Sequence, residues 1–201
     1  MPEMSDIHCI ACSVFREELK ALQERGLLDL NIRFLDSGLH VKPAELRERM
    51  VPILESELEQ GHEVLLAYGD CHPHMAELME RQGVARTCGF NCSEILLGRE
   101  QYRKLIKEGA FFMFPEWTLR WWDIFSMLLE LDLGSTAEVM RDMHSKLVYL
   151  DTGVVPVPKE KLKACADYCS LPFEVLHISL DNLLGGINEA LERLTDERRT
   201  A

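Results

Sequence analysis

Seven short apolar runs alternate along the chain with segments whose apolar residues recur three or four positions apart. "IHCIAC", "LNIRFLD", "EVLLAYG", "VARTCGF", "AFFMF", "KLVYLD" and "FEVLHISL" read as strands, and the stretches between them read as helices. Strands that each feed a helix join most simply as βα units, which build a parallel sheet covered on both faces. The expected fold is therefore α/β: a mostly parallel, Rossmann-like twisted sheet of about six or seven strands flanked by helices. Residues 1–195 read as a single α/β domain and 196–201, "DERRTA", as a frayed tail.

Local signals sharpen the helix ends. Ser13 is placed to cap the first helix and Gly26 to stop it; Pro43 suits the first turn of the second, which Pro52 should kink or divide. Trp117, Trp121, Ile124 and Leu128 share one helical face. That stripe suits a core, although "PEWTLRWW" could equally supply the surface of a homo-oligomer.

At 201 residues the chain is long enough to bury a full core, and 47% hydrophobic with 28% charged residues is an ordinary globular composition. A formal charge of −12 opposes phosphate backbones and anionic lipid, so the expectation is no nucleic acid and no membrane among its partners. The acidic start "MPEMSDIHC" does not resemble an export signal. Seven cysteines, an odd number, suit reduced thiols or metal ligands in the cytoplasm better than a disulfide framework.

Three of those cysteines hold equivalent places. Cys12, Cys71 and Cys92 each follow a strand-like run and stand just ahead of a helical segment. Parallel strands deliver their carboxyl ends to one edge, where open α/β sheets bind ligands. Three thiolates gathered there would repel one another without a cation between them, so the expected group is an iron–sulfur cluster or zinc. His72 or His74 could supply a fourth ligand, with Asp70 and Tyr68 beside them. Cys165 and Cys169 share a helical stripe with Leu162 and Ala166 and read as core, Cys9 reads as structural, and Cys88 is ambiguous. The alternative chemistry for the cysteines is thiol redox.

"RFLDSG" and "VYLDTG" both match the apolar-Asp-Ser/Thr-Gly pattern of aspartic proteases. That pattern belongs to an all-β architecture, and here both copies end strands that run on toward helices. Their plainer reading is a turn in which the carboxylate accepts backbone N–H groups and glycine relaxes the chain. Asp36, Asp151 and His40 are nonetheless candidates for catalytic or substrate-binding groups on the same edge as the cysteines, and Asp70 is a fourth candidate for catalysis, placed to orient a ligand or donate a proton.

Together "IACSVFREEL", "LDSGLHVKPAEL", "YGDC", "CGFNCSEILLG", "PEWTLRWWDIF" and "LVYLDTG" resemble a family of unknown function (DUF1638) over nearly the whole chain. In the family pattern Cys12, Cys71, Cys92 and the turn at Asp151 fall on the recognisable motif positions. This sequence departs from it with histidines beside Cys71, where small residues are common. The resemblance implies a setting near corrinoid-dependent methyltransferases and their corrinoid proteins, hence methyl transfer or one-carbon metabolism. Partners so implied are a corrinoid protein or methyltransferase and a small-molecule thiol or methyl acceptor. The chain lacks a corrinoid-binding "DxHxxG". Two roles follow: a metal-dependent centre that activates a substrate, or a noncatalytic accessory or metal-delivery module docked on one of those proteins.

Overall fold

The computed structural model describes residues 6–71, 75–129 and 133–200, and side chains at 6–71, 75–125 and 135–196. In chain order the elements are β1 (Ile7–Cys12), a 3-10 turn (Ser13–Phe15), α1 (Arg16–Glu24), β2 (Asn31–Leu35), a second 3-10 turn (Ser37–Val41), α2 (Pro43–Glu59), β3 (Glu63–Ala67), α3 (Met75–Met79), β4 (Val84–Arg86) and α4 (Cys92–Leu97). There follow α5 (Arg99–Lys107), β5 (Ala110–Met113), α6 (Pro115–Leu119), α7 (Trp121–Leu129), α8 (Leu133–Met143), β6 (Lys146–Asp151), α9 (Lys159–Cys169), β7 (Phe173–His177) and α10 (Asp181–Thr200). Every strand-like run of the sequence forms a strand.

The expected single sheet is corrected. The strands form two parallel sheets, one of four strands in the order β2-β1-β3-β4 and one of three in the order β5-β6-β7. Residues 1–96 with 180–201 make one compact unit and residues 97–179 another. The helix α10 spans Asp181–Thr200.

In the first unit β3 is the central strand beside β1, and Val64, Leu65, Leu66 and Ala67 are all fully buried, as expected of a parallel strand covered on both faces. Its cover comes from α2, through Leu46, Met50 and Leu54, and from α10, through Leu183, Ile187, Ala190 and Leu194. Both sets recur at helical spacing, so one stripe of each helix meets the core. Pro52 lies inside α2, which runs unbroken for 17 residues, so the expected division does not occur. Ser13 does not cap α1; its hydroxyl accepts the N–H of Ser37 at 2.9 Å and ties the end of β1 to the end of β2.

In the second unit β6 is central, with Leu147, Val148, Tyr149 and Leu150 fully buried. Met113, Ile124, Phe125, Leu162, Cys165 and Cys169 complete a core against which Trp117 and Trp121 pack. The tryptophan stripe is thus core at those two positions, whereas Trp122 is exposed; Leu128's side chain lies outside the described residues. Among the described residues no helix is long and apolar enough to cross a membrane.

Candidate metal-binding site

The first sheet reverses direction of growth at β1: β2 adds on one side and β3 on the other. Such a switch point leaves a crevice beyond the carboxyl ends of the two middle strands. Cys12 is the last residue of β1, and Cys71 follows β3 after Tyr68, Gly69 and Asp70. The sequence places both there because a continuous apolar run stops at each point and the chain must turn.

Cys92 arrives on the loop between β4 and α4, which several hydrogen bonds fasten to the segment after β3. The Asp70 N–H donates to Phe90 O at 2.7 Å, the Thr87 hydroxyl to Tyr68 O at 3.2 Å, and Arg86 Nη1 to both Tyr68 O and Gly89 O at 3.1 Å. Gly69 is required by this contact: a Cβ there would stand 2.5 Å from Asn91 Cα and 2.8 Å from Phe90 O. The Asn91 side chain then caps α4 by accepting the Glu94 N–H at 2.9 Å, while the Glu94 carboxylate accepts the Phe90 N–H at 2.8 Å. The side chain of Cys92, first residue of α4, is thereby set beside those of Cys12 and Cys71.

Cys92 lies near enough to Cys12 and Cys71 for the thiols to act on one another's ionisation. The neighbouring thiols, Cys12's first, and burial hold the Cys92 thiol well above its ordinary value. Cys71 is held low, chiefly by its Cys92 neighbour, with the Gly69 backbone and the Arg86 guanidinium assisting. Tyr68 is buried next to this group and feels the fields of Cys12, Cys92, Cys71 and Cys9. Burial, and then those fields, push its phenol upward, so it stays protonated, yet among the described residues its buried hydroxyl has no hydrogen-bond partner.

The remaining candidates fall as follows. Asp70 forms an ion pair with Arg86 at 2.8 Å and faces outward. Asp36 accepts the Gly38 N–H at 2.7 Å and Asp151 the Gly153 N–H at 2.9 Å, so both are the turn residues their motif suggested. Asp36 ends β2 of the sheet that carries the cysteines, but Asp151 ends β6 of the other sheet, where its carboxylate pairs with His177 at 2.8 Å. The two aspartates do not share a sheet edge, contrary to expectation. His40 Nδ1 bonds to Ser37 O at 2.9 Å within its own turn. His72 and His74 lie outside the described residues. Cys9, Cys165 and Cys169 are buried and Cys88 is exposed.

Sequence reading missed another cluster. Among the described residues, the trio of ligand-type side chains whose donor atoms all lie within 4.8 Å of one another is His8, Glu57 and His62, half-buried at the far end of β1; the three cysteines are not drawn into so tight a set. The available signal was Gly61, a helix-stopping glycine that sets a glutamate before it and a histidine after it on one turn.

A family model described as "Protein of unknown function (DUF1638)" matches residues 34–185. No curated protein matches the chain. A solved structure, the ABC domain in complex with L-Trp from Streptococcus pneumonia, is similar at 12% identity and a TM-score of 0.38, covering 96% of this chain and 85% of that one.

Proposed function

As the chain belongs to the family described as protein of unknown function (DUF1638), we propose that Cys12, Cys71 and Cys92 hold a metal centre, an iron–sulfur cluster or zinc, that serves methyl transfer. The observation that carries this reading is the gathering of Cys92 near both other thiols at the end of the first sheet, beside a buried Tyr68 hydroxyl that has no partner among the described residues. A buried polar group without a partner costs about 1–3 kcal/mol, which a ligand or water held at the site would relieve.

The donor set fits a soft cation. Three sulfurs with one position left open suit a substrate-binding iron or a zinc that takes a thiol. The centre would supply Lewis acidity toward a thiol or other methyl acceptor. Arg86 keeps positive charge near Cys71, favouring its thiolate, and Tyr68 offers a hydrogen bond to whatever occupies the open side. The Rossmann-like character of the first unit, with its switch point between β1 and β3, belongs to the same proposal.

Metal and acid-labile sulfide analysis after anaerobic purification tests it, with Cys12→Ala, Cys71→Ala and Cys92→Ala in parallel. Iron with sulfide, or one equivalent of zinc, lost in each variant is the expected result. Metal content indifferent to all three replacements, or a metal-free protein with a reversible Cys71–Cys92 disulfide, overturns it.

A further inference from the structure

We propose that His8, Glu57 and His62 form a second metal site, selective for a divalent first-row cation bound through nitrogen and oxygen, independent of the cysteines. His8 and Cys12 are the second and last residues of β1, which separates the two sites by about 13 Å at the usual rise of a strand.

The geometry is convergent. His8 Nδ1 lies 2.6 Å and His62 Nδ1 2.9 Å from the same carboxylate oxygen, Glu57 Oε2. The two rings lie nearly over one another, centroids 4.0 Å apart and tilted by 30°. Two imidazoles and a carboxylate directed at one point are the donors of three-ligand zinc centres that keep a position for water or substrate. With metal–ligand bonds near 2.0 Å, tetrahedral donors stand about 3.3 Å apart. From 2.6 and 2.9 Å the two spacings need to open by about 0.7 Å and about 0.4 Å, within reach of side-chain rotations. Coordination through Nδ1 takes the neutral tautomer that carries its single proton on Nε2, so a proton shared between Nδ1 and Glu57 moves to Nε2 of the same ring or, where Nε2 already holds one, to solvent.

The backbone pre-arranges the site. At the end of α2 the His62 N–H donates to Glu57 O at 3.0 Å and the Gly61 N–H to Leu58 O at 3.0 Å, with Gly61 at φ +85°. This is a Schellman closure, and it fixes the glutamate and the histidine relative to each other. The parallel register sets His8 opposite Val64, two residues beyond His62, so strand alternation brings both histidines to one face. Side-chain exposures of 18% for His8, 13% for Glu57 and 28% for His62 leave the cluster dry enough to strengthen its bonds but open enough for an ion to enter.

Cobalt titration of the full-length, chelator-treated protein under anaerobic conditions tests the proposal, because thiolate-bound Co2+ shows an intense sulfur-to-metal charge-transfer band and nitrogen- and oxygen-bound Co2+ shows only d–d bands. One equivalent that contributes d–d bands and no charge-transfer band is expected, separate from any cobalt on the cysteines, retained in the Cys12→Ser variant and weakened tenfold or more in Glu57→Gln and His62→Gln. Absence of that equivalent in the wild type, or unchanged affinity in the two variants, overturns it. Should Glu57→Gln fail to fold by circular dichroism, the more exposed His62→Gln decides alone. Failure of the cysteine centre would be seen separately, as loss of the charge-transfer band.

Discussion

Gly69 shows how a single missing Cβ can set the geometry of a site. The close approach it permits brings the loop of Cys92 against the segment of Cys71, and neither clashing neighbour is a flexible side-chain tip. Gly69→Ala should therefore displace backbone and cost about 1–3 kcal/mol, read by urea denaturation, with Cys92 becoming more reactive as it is moved away from Cys12 and Cys71. The cysteines should also differ sharply in alkylation. Burial pushes Cys9 up to about 12 although a backbone hydrogen bond from Ala67 opposes it, whereas Cys88 is exposed. Since only the accessible thiolate reacts, iodoacetamide on the native protein should label Cys88 well before Cys9, as peptide mapping would show. His144, edge-on to Phe111 with ring centroids 5.1 Å apart, is held below its ordinary value by burial. Above about pH 6.5 it is neutral whether folded or not. As the pH falls further, the unfolded chain takes a proton that the folded state resists, so stability drops until the lowered folded value is passed. Denaturation midpoints at about pH 7.5 and about pH 5.5 should therefore differ less in His144→Gln than in the wild type.

The helix α2 links local sequence to both ends of the first sheet. Its buried stripe docks on β1 and β3, and its closing turn presents Glu57 to His8 and His62. Gly61 has open space where a Cβ would go, so its substitution costs strain and not a clash. Gly61→Ala should lose about 1–2 kcal/mol from the left-handed backbone alone, measurable by thermal or urea unfolding, and should weaken cobalt binding at the histidines without touching the cysteines. Element boundaries were largely legible because proline and glycine mark them: Pro43 and Pro115 begin helices, and Gly26 and Gly61 end them with positive φ. Pro52 misled because the tertiary packing of Met50 and Leu54 holds α2 together across it. Ser13 misled because a hydroxyl at a strand end has partners beyond its own helix, here Ser37.

The chain leaves its first unit at residue 97 and returns to it with α10. Leu183, Ile187, Ala190 and Leu194 are fully buried there, against β3 and β4. Burying an aliphatic side chain of leucine size contributes about 1.5–3 kcal/mol, so truncation after Ser179 should remove an amount comparable with a typical domain's whole stability of about 5–15 kcal/mol. Loss of the cooperative unfolding transition of that unit, followed by near-ultraviolet circular dichroism, is the expected outcome. What can be read without coordinates are the alternating strands and helices, their stops, and the cysteines at strand ends, because periodicity and turn chemistry are local properties of neighbouring residues. Which strands pair is not local: identical apolar runs can join one sheet or two, and the division between β4 and β5 follows from long-range packing that no nearby residue encodes. The same holds for the sites. Cys12, Cys71 and Cys92 could be grouped by their equivalent positions, but the separation of Asp151 from them and the meeting of His8, Glu57 and His62 depend on strand order and register, which bring together residues far apart in the chain.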